Sequence, residues 1–71
     1  MELKDALRRF RKHIKITQVQ AAKTAGVTVS MYQFYEYGKS EPRIGVLIAL
    51  ASTYNISLDY IVGLSDDPSR H

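Results

Sequence analysis

Gln18–Tyr37, QVQAAKTAGVTVSMYQFYEY, reads as two short helices joined by a turn at Gly26. Thr17 stands where its hydroxyl accepts a backbone N–H of the opening turn. Gln20, three places on, completes a reciprocal capping box. Val19 and Ala22 are expected to face inward, with the stem of Lys23 along the edge. Ala22 is small at the point where two crossing helices come closest. Gly26 takes a positive φ without steric cost, Val27 plugs the turn, and Thr28 caps the second helix. Tyr32 and Tyr35, at i and i+3, form the inward face of that helix. Val29, Ser30, Gln33 and Phe34 are left on its outward face. A turn of this kind presents one helix to the major groove of DNA. A plain helical hairpin in a small bundle would use the same glycine and alanine for packing alone.

The flanks extend the helical reading. Leu3, Leu7, Phe10 and Ile14 recur at helical spacing and make one face of a helix from about Glu2 to His13. Lys15 occupies a position where glycine would ease the exit, so that ending is expected to be strained. Ile16 then returns the chain to the core. Beyond Gly38, which suits a left-handed helix terminus, Lys39-Ser40-Glu41-Pro42 is a polar loop. Pro42 bars an earlier helix and starts the next one well. Ile44, Leu47, Ile48 and Ala51 are the expected buried stripe of a fourth helix, widened by Leu50. Gly45 is unfavourable inside a helix and is expected to permit close approach of another backbone. Asn55 suits the end of this helix. Ser57 caps a fifth, short one built on Leu58, Ile61 and Val62 and closed by Gly63, with Asp59 favourable in its first turn. Residues 65–71 are polar and are expected to fray. The expectation is an all-α chain of five helices, with a domain over 1–64 and a tail over 65–71.

Composition narrows the function classes. Seventy-one residues make one domain, and 45% hydrophobic content argues against disorder. Without cysteine there is neither a disulfide framework nor a thiolate metal site. His13 and His71 have no further ligands arranged around them, so no metal and no cofactor is expected. No stretch is long enough for a membrane span, the N-terminus lacks the apolar core of a signal peptide, and a cytoplasmic location follows. The formal net charge is +3. It is unevenly spread: Lys4, Arg8, Arg9, Arg11, Lys12 and Lys15 outweigh Glu2 and Asp5 at one end, while Asp59, Asp66 and Asp67 outweigh Arg70 at the other. A basic end attracts a polyanion. It is equally the solvated face of a helix.

From about Leu3 to Leu64 the chain resembles the Cro/CI-type, or Xre, family of helix-turn-helix domains. The likeness is carried by the spacing from Arg11 to Thr17-Gln18, by Ala22 and Gly26, by Tyr35-Glu36-x-Gly38-Lys39-x-Glu41-Pro42, and by Ser57-Leu58-Asp59-Tyr60. It implies a lambda-repressor-like fold with a central helix-turn-helix and a small regulator, usually a homodimer on a palindromic operator. By that likeness Gln18 contacts a phosphate and braces the recognition helix, and Thr28 meets phosphate. Val29, Ser30, Gln33 and Phe34 face base edges, and Lys39 and Arg43 meet the backbone near the minor groove. Arg11 and Glu36 pair internally, joining the first helix to the third. Val29 and Phe34 depart from the family's common Arg or Gln. They cannot hydrogen-bond a base edge but can touch a thymine methyl, which leaves Ser30 and Gln33 to read by hydrogen bond. Tyr37 is a further candidate contact to the DNA backbone.

The leading expectation is sequence-specific binding of duplex DNA, repressing by occupancy, with Leu58, Tyr60 and Leu64 as an exposed apolar dimer contact. A dimer would set two recognition helices about 34 Å apart, one turn of DNA. The alternative is an antitoxin or anti-repressor that uses the same fold to bind a partner protein, which the apolar Val29 and Phe34 favour. An enzyme is not expected, for there is no nucleophile–base pair, metal cluster, phosphate-cradling glycine loop or room for a pocket.

Overall fold

The computed structural model describes residues 1–70, which leaves the expectations for His71 outside the described residues. The order is α1 (Leu3–His13), α2 (Gln18–Ala25), α3 (Val29–Tyr37), α4 (Ile44–Tyr54) and α5 (Leu58–Val62), with no strand among the described residues. Local chemistry sets most boundaries. The Thr17 hydroxyl accepts from the Gln20 backbone N–H at 3.1 Å, and the Gln20 side chain accepts from the Thr17 N–H at 2.8 Å, so α2 opens on a complete capping box. Thr28 caps α3 through the Met31 N–H, and Ser57 caps α5 through the Tyr60 N–H. Pro42 does not start α4. The helix begins at Ile44 with Arg43 as its cap residue, and the proline lies just before it.

Helix α1 packs on α3 and α5, α2 on α3 and α4, and α4 on α5. Their shared core is Leu7, Phe10, Ala21, Ala22, Tyr32, Tyr35, Leu47, Leu50, Ala51, Ile56, Tyr60 and Ile61. Several sequence expectations are corrected here. Val19 faces solvent at 59% exposure, because α2 turns the small residues Ala21 and Ala22 toward the core and Val19 lies behind them. In α4 the buried stripe runs through Leu47, Leu50 and Ala51, with Tyr54 packed alongside. Ile44 at the helix start and Ile48 at the stripe's edge are exposed. A Cβ at Gly45 would meet nothing within 4 Å among the described residues, so the expected close backbone approach does not occur there. The close approach occurs instead at Gly63, where φ is +90° and a Cβ would lie 2.7 Å from the Met1 carbonyl oxygen.

Residues 65–70 do not fray from the body. Arg9 of α1 donates to Asp66 and to the carbonyls of Tyr60 and Ser65, each at 2.8 Å. The Ser57 N–H donates to the Pro68 carbonyl at 3.0 Å. The same guanidinium covers the Tyr60 ring, 4.0 Å from its centroid, and His13 meets that ring edge-on. Tyr60 is therefore core at 4% exposure, and Leu58 is half-buried against the core. The exposed apolar trio expected at this end reduces to Leu64 alone.

One ion pair ties the helix-turn-helix to α1. Glu36 is fully buried, and Arg11 donates to it in a fork, Nε to Oε2 at 2.7 Å and Nη2 to Oε1 at 3.1 Å. Arg11 also donates to the Ile16 carbonyl at 3.2 Å. Burial pushes the carboxyl toward its neutral form. Hydrogen bonds from Arg11 and Gln18, with the Tyr32 hydroxyl close by, outweigh that, and its pKa lies below the ordinary 4.5. Glu36 in turn raises the pKa of Arg11. The Tyr32 hydroxyl is buried near the same carboxylate, with no hydrogen-bond partner among the described residues. Burial, and then the neighbouring carboxylate, raise its pKa well above the usual phenol value.

A carboxyl with a depressed folded pKa stabilises the fold above the unfolded value, and that stability is lost as pH falls through the folded one. Urea midpoints are therefore expected to fall on acidification below about pH 4.5, and Glu36→Gln should lack that part of the fall. Glu36→Ala leaves the guanidinium without its anion and is expected to cost about 3–5 kcal/mol, lowering the melting temperature more than the ligand affinity of the folded fraction. A melting temperature equal to the parent's would refute the bracing role. Lys15 has φ of 60° without being glycine, a conformation that costs an ordinary residue about 1–2 kcal/mol. Lys15→Gly regains part of this against glycine's larger chain entropy, so thermal denaturation should show a rise of a few degrees.

Candidate nucleic-acid interface

Helix α3 is fixed from within and open from without. Tyr32, Tyr35 and Glu36 are its buried residues, and the two tyrosine rings meet edge-to-face with centroids 6.2 Å apart. This inward stripe leaves Ser30, Met31, Phe34 and Tyr37 exposed and Gln33 half-buried. Ser30, Gln33, Phe34 and Tyr37 are spaced i, i+3, i+4 and i+7, so they share one outward strip. Val29 does not belong to it, contrary to expectation. As the first residue of α3, its branched side chain packs against the core.

The structure brings Gln18 and Lys39 to this strip. Gln18, at the start of α2, accepts from the Gln33 side-chain amide at 3.2 Å. Its own amide donates to Glu36 at 3.2 Å. The base-facing glutamine is thus tied through a second glutamine to the buried carboxylate. Lys39 extends over the Phe34 ring, with its ammonium 5.8 Å from the centroid, so the loop after α3 carries a positive charge to the edge of the strip. Arg43, exposed ahead of α4, lines a shallow groove with Val27, Met31 and Glu41. Thr28 is exposed, with its hydroxyl committed to the α3 cap and its backbone at the mouth of the turn.

Met31 was not singled out from the sequence, although it is 38% exposed and lies three residues before Phe34. That i, i+3 spacing was the available signal. Chemically the strip offers hydroxyl, amide and aromatic groups with the Lys39 cation at its edge, and the groove beside α3 adds the Met31 thioether and the Arg43 cation. These are groups that hydrogen-bond or touch base edges and meet phosphate oxygens. Among the described residues no group of His, Asp or Glu could hold a metal ion, and no helix is long and apolar enough to cross a membrane.

A family profile described as helix-turn-helix matches residues 7–61. An uncharacterised helix-turn-helix-type transcriptional regulator of Bacillus subtilis, YobD, is 44% identical over 62 residues, covering 87% of this chain and 55% of that protein. The cryptic phage CTXphi transcriptional repressor RstR of Vibrio cholerae is 35% identical over 63 residues, covering 89% of this chain and 56% of RstR. The chain thus spans about half the length of the curated relatives it matches. Among solved structures, the P22 c2 repressor in complex with a synthetic operator superposes with a TM-score of 0.76 at 28% identity, over 92% of this chain and 98% of that one. The DNA-binding domain of the same repressor in solution gives 0.79 at 30% identity, over 97% and 88%. The all-helical order of elements and these matches agree, and the chain belongs to the Xre-type helix-turn-helix family.

Proposed function

We propose that this chain binds double-stranded DNA in a sequence-specific way and regulates transcription, acting as a repressor by occupying its operator. The observation that carries this reading is the accessible outward strip of α3, whose Gln33 is held by Gln18 while Lys39 and Arg43 stand beside it. The P22 c2 repressor, solved with a synthetic operator, shares this fold over 92% of the chain. Residues 1–64 form the binding domain, with the following segment folded back on α1.

In this reading α3 enters the major groove. Ser30 and Gln33 hydrogen-bond base edges, and Phe34 meets a thymine methyl. Val29 packs inward, so it supports the helix start rather than touching bases. Gln18, Thr28, Lys39, Arg43 and Tyr37 meet the sugar-phosphate backbone, which supplies most of the affinity. A homodimer would set two copies of α3 one DNA turn apart on a palindromic site, and the exposed Leu64 is the apolar residue available at the α5 end. Such a target places the protein in the cytoplasm. The exposed Met31 and Phe34 favour a second reading, an antitoxin or anti-repressor docking a partner protein through the same strip.

Salt separates the two. DNA binding predicts a log–log slope of about −0.9 for each phosphate neutralised. Lys39→Ala and Arg43→Ala should each weaken binding to every duplex alike and flatten that slope by about 0.9. Gln33→Ala should instead lose about 1–3 kcal/mol of discrimination at one base pair and leave the slope unchanged. Affinity indifferent to salt would move support to the protein partner.

A further inference from the structure

The two hydrogen bonds that join Glu36, Gln18 and Gln33 have a direction. An ionised carboxylate only accepts hydrogen bonds. Gln18 must therefore turn its NH2 toward Glu36 Oε1 and its carbonyl oxygen toward Gln33. Gln33 must donate to that oxygen through Nε2. A side-chain amide can ordinarily exchange its oxygen and nitrogen by a half-turn of its last bond. Here the charge at the buried end selects one orientation for both glutamines. Gln33 is left with a free carbonyl oxygen beside one free N–H. In the major groove, adenine presents the complement, an acceptor at N7 and a donor at N6. Guanine presents two acceptors, N7 and O6.

We infer that Glu36 is a positioning residue for base selection: through Gln18 it fixes the donor–acceptor order of Gln33 and makes α3 prefer adenine to guanine where Gln33 meets the DNA. The inference rests on the major-groove role of α3 proposed above. The fork from Arg11 helps to keep the buried carboxylate ionised, so the direction does not lapse near neutral pH. An amide at position 36 would reverse the order. Its oxygen would take the place of Oε2, where Arg11 Nε donates at 2.7 Å, and its NH2 the place of Oε1, giving up the longer Nη2 bond of 3.1 Å and facing Gln18. Gln18 would then accept from residue 36 and donate to the Gln33 carbonyl. Gln33 would keep two free N–H groups, which suit the two acceptors of guanine.

The test measures binding of the full chain to duplexes differing at one base pair. Selection from a random duplex library defines the preferred site, and Gln33→Ala identifies the base pair that residue reads. Adenine-over-guanine discrimination there is expected at about 5- to 150-fold in the parent, and Glu36→Gln should reduce it at least about fivefold. Discrimination at the other positions should stay unchanged. Partial unfolding of the variant would scale all sites alike and leave the ratio intact, so the ratio isolates positioning from bracing. Gln18→Leu breaks the chain of bonds at a half-buried residue outside the ion pair, and it supplies the same ratio if Glu36→Gln does not fold. A ratio equal to the parent's in a folded variant overturns the inference, and a loosened base pair in Gln33→Ala would then leave the major-groove role standing. A parent that binds no duplex overturns both.

Discussion

A carboxylate with no access to solvent is the constraint on which the helix-turn-helix depends. Removing Glu36 from water is costly, and the cost is offset only if donors converge on it from fixed places. They come from Arg11 on α1 and Gln18 at the start of α2, with the Tyr32 phenol nearby on α3. Each donor fixes a distance between elements that the turn at Gly26 alone would leave loose. Arg11 adds the Ile16 carbonyl, so the strained exit at Lys15 is held from the same point. The outward direction of α3 follows from this inward anchoring, since Glu36 cannot turn away without leaving Arg11 unpaired.

Much of this was legible in the sequence, because caps and turn residues act over three or four positions. Thr17 with Gln20, Thr28, Gly26, Ser57 and Asn55 each announce a boundary through their own chemistry, and each lies where that chemistry requires. The spacing of Tyr32 and Tyr35 gave the inward face of α3 for the same reason. The errors fall where local pattern loses its phase. Helix α4, IGVLIALASTY, is apolar nearly all round, so periodicity could not separate the Leu47, Leu50 and Ala51 face from the exposed Ile44 and Ile48. In α2 three alanines, small and weakly marked, outrank the more hydrophobic Val19 for the core. Tyr60 was misread because what covers it is a guanidinium from fifty-one positions away. The Arg9 clasp likewise takes the Ser65 carbonyl and the Asp66 carboxylate, and the Ser57 N–H takes the Pro68 carbonyl, pairings that no local motif marks.

The candidate interface divides its work by chemistry. Its central polar groups are few, Ser30 and Gln33, flanked by the apolar surfaces of Met31 and Phe34. On DNA, as proposed, one amide and one hydroxyl would discriminate among bases but supply little net binding, since each trades a water hydrogen bond for another. Cations at the rim must then supply the attraction, and Lys39 and Arg43 stand there. Lys39 is partly steadied over Phe34, which reduces the freedom that its long side chain would lose on meeting a phosphate. In the proposed complex the Phe34 ring would thus have two uses, one toward a thymine methyl and one toward its neighbouring lysine.

A buried ion pair is weak as a source of stability, because apolar side chains of similar volume often replace it at no loss. What apolar side chains cannot replace is its sign. Leu or Met in place of Glu36 would fill the same space and present nothing that tells an amide which way to face. The carboxylate does so at a distance: it is fully buried, yet it is two hydrogen bonds from the outward strip of α3. The same group therefore serves packing, where its volume and hydrogen bonds matter, and recognition, where its acceptor-only character matters. These two roles respond differently to substitution. An isosteric amide retains the first in large part and abolishes the second, which is why base preference, and not affinity or melting temperature, is the property in which the relay shows itself.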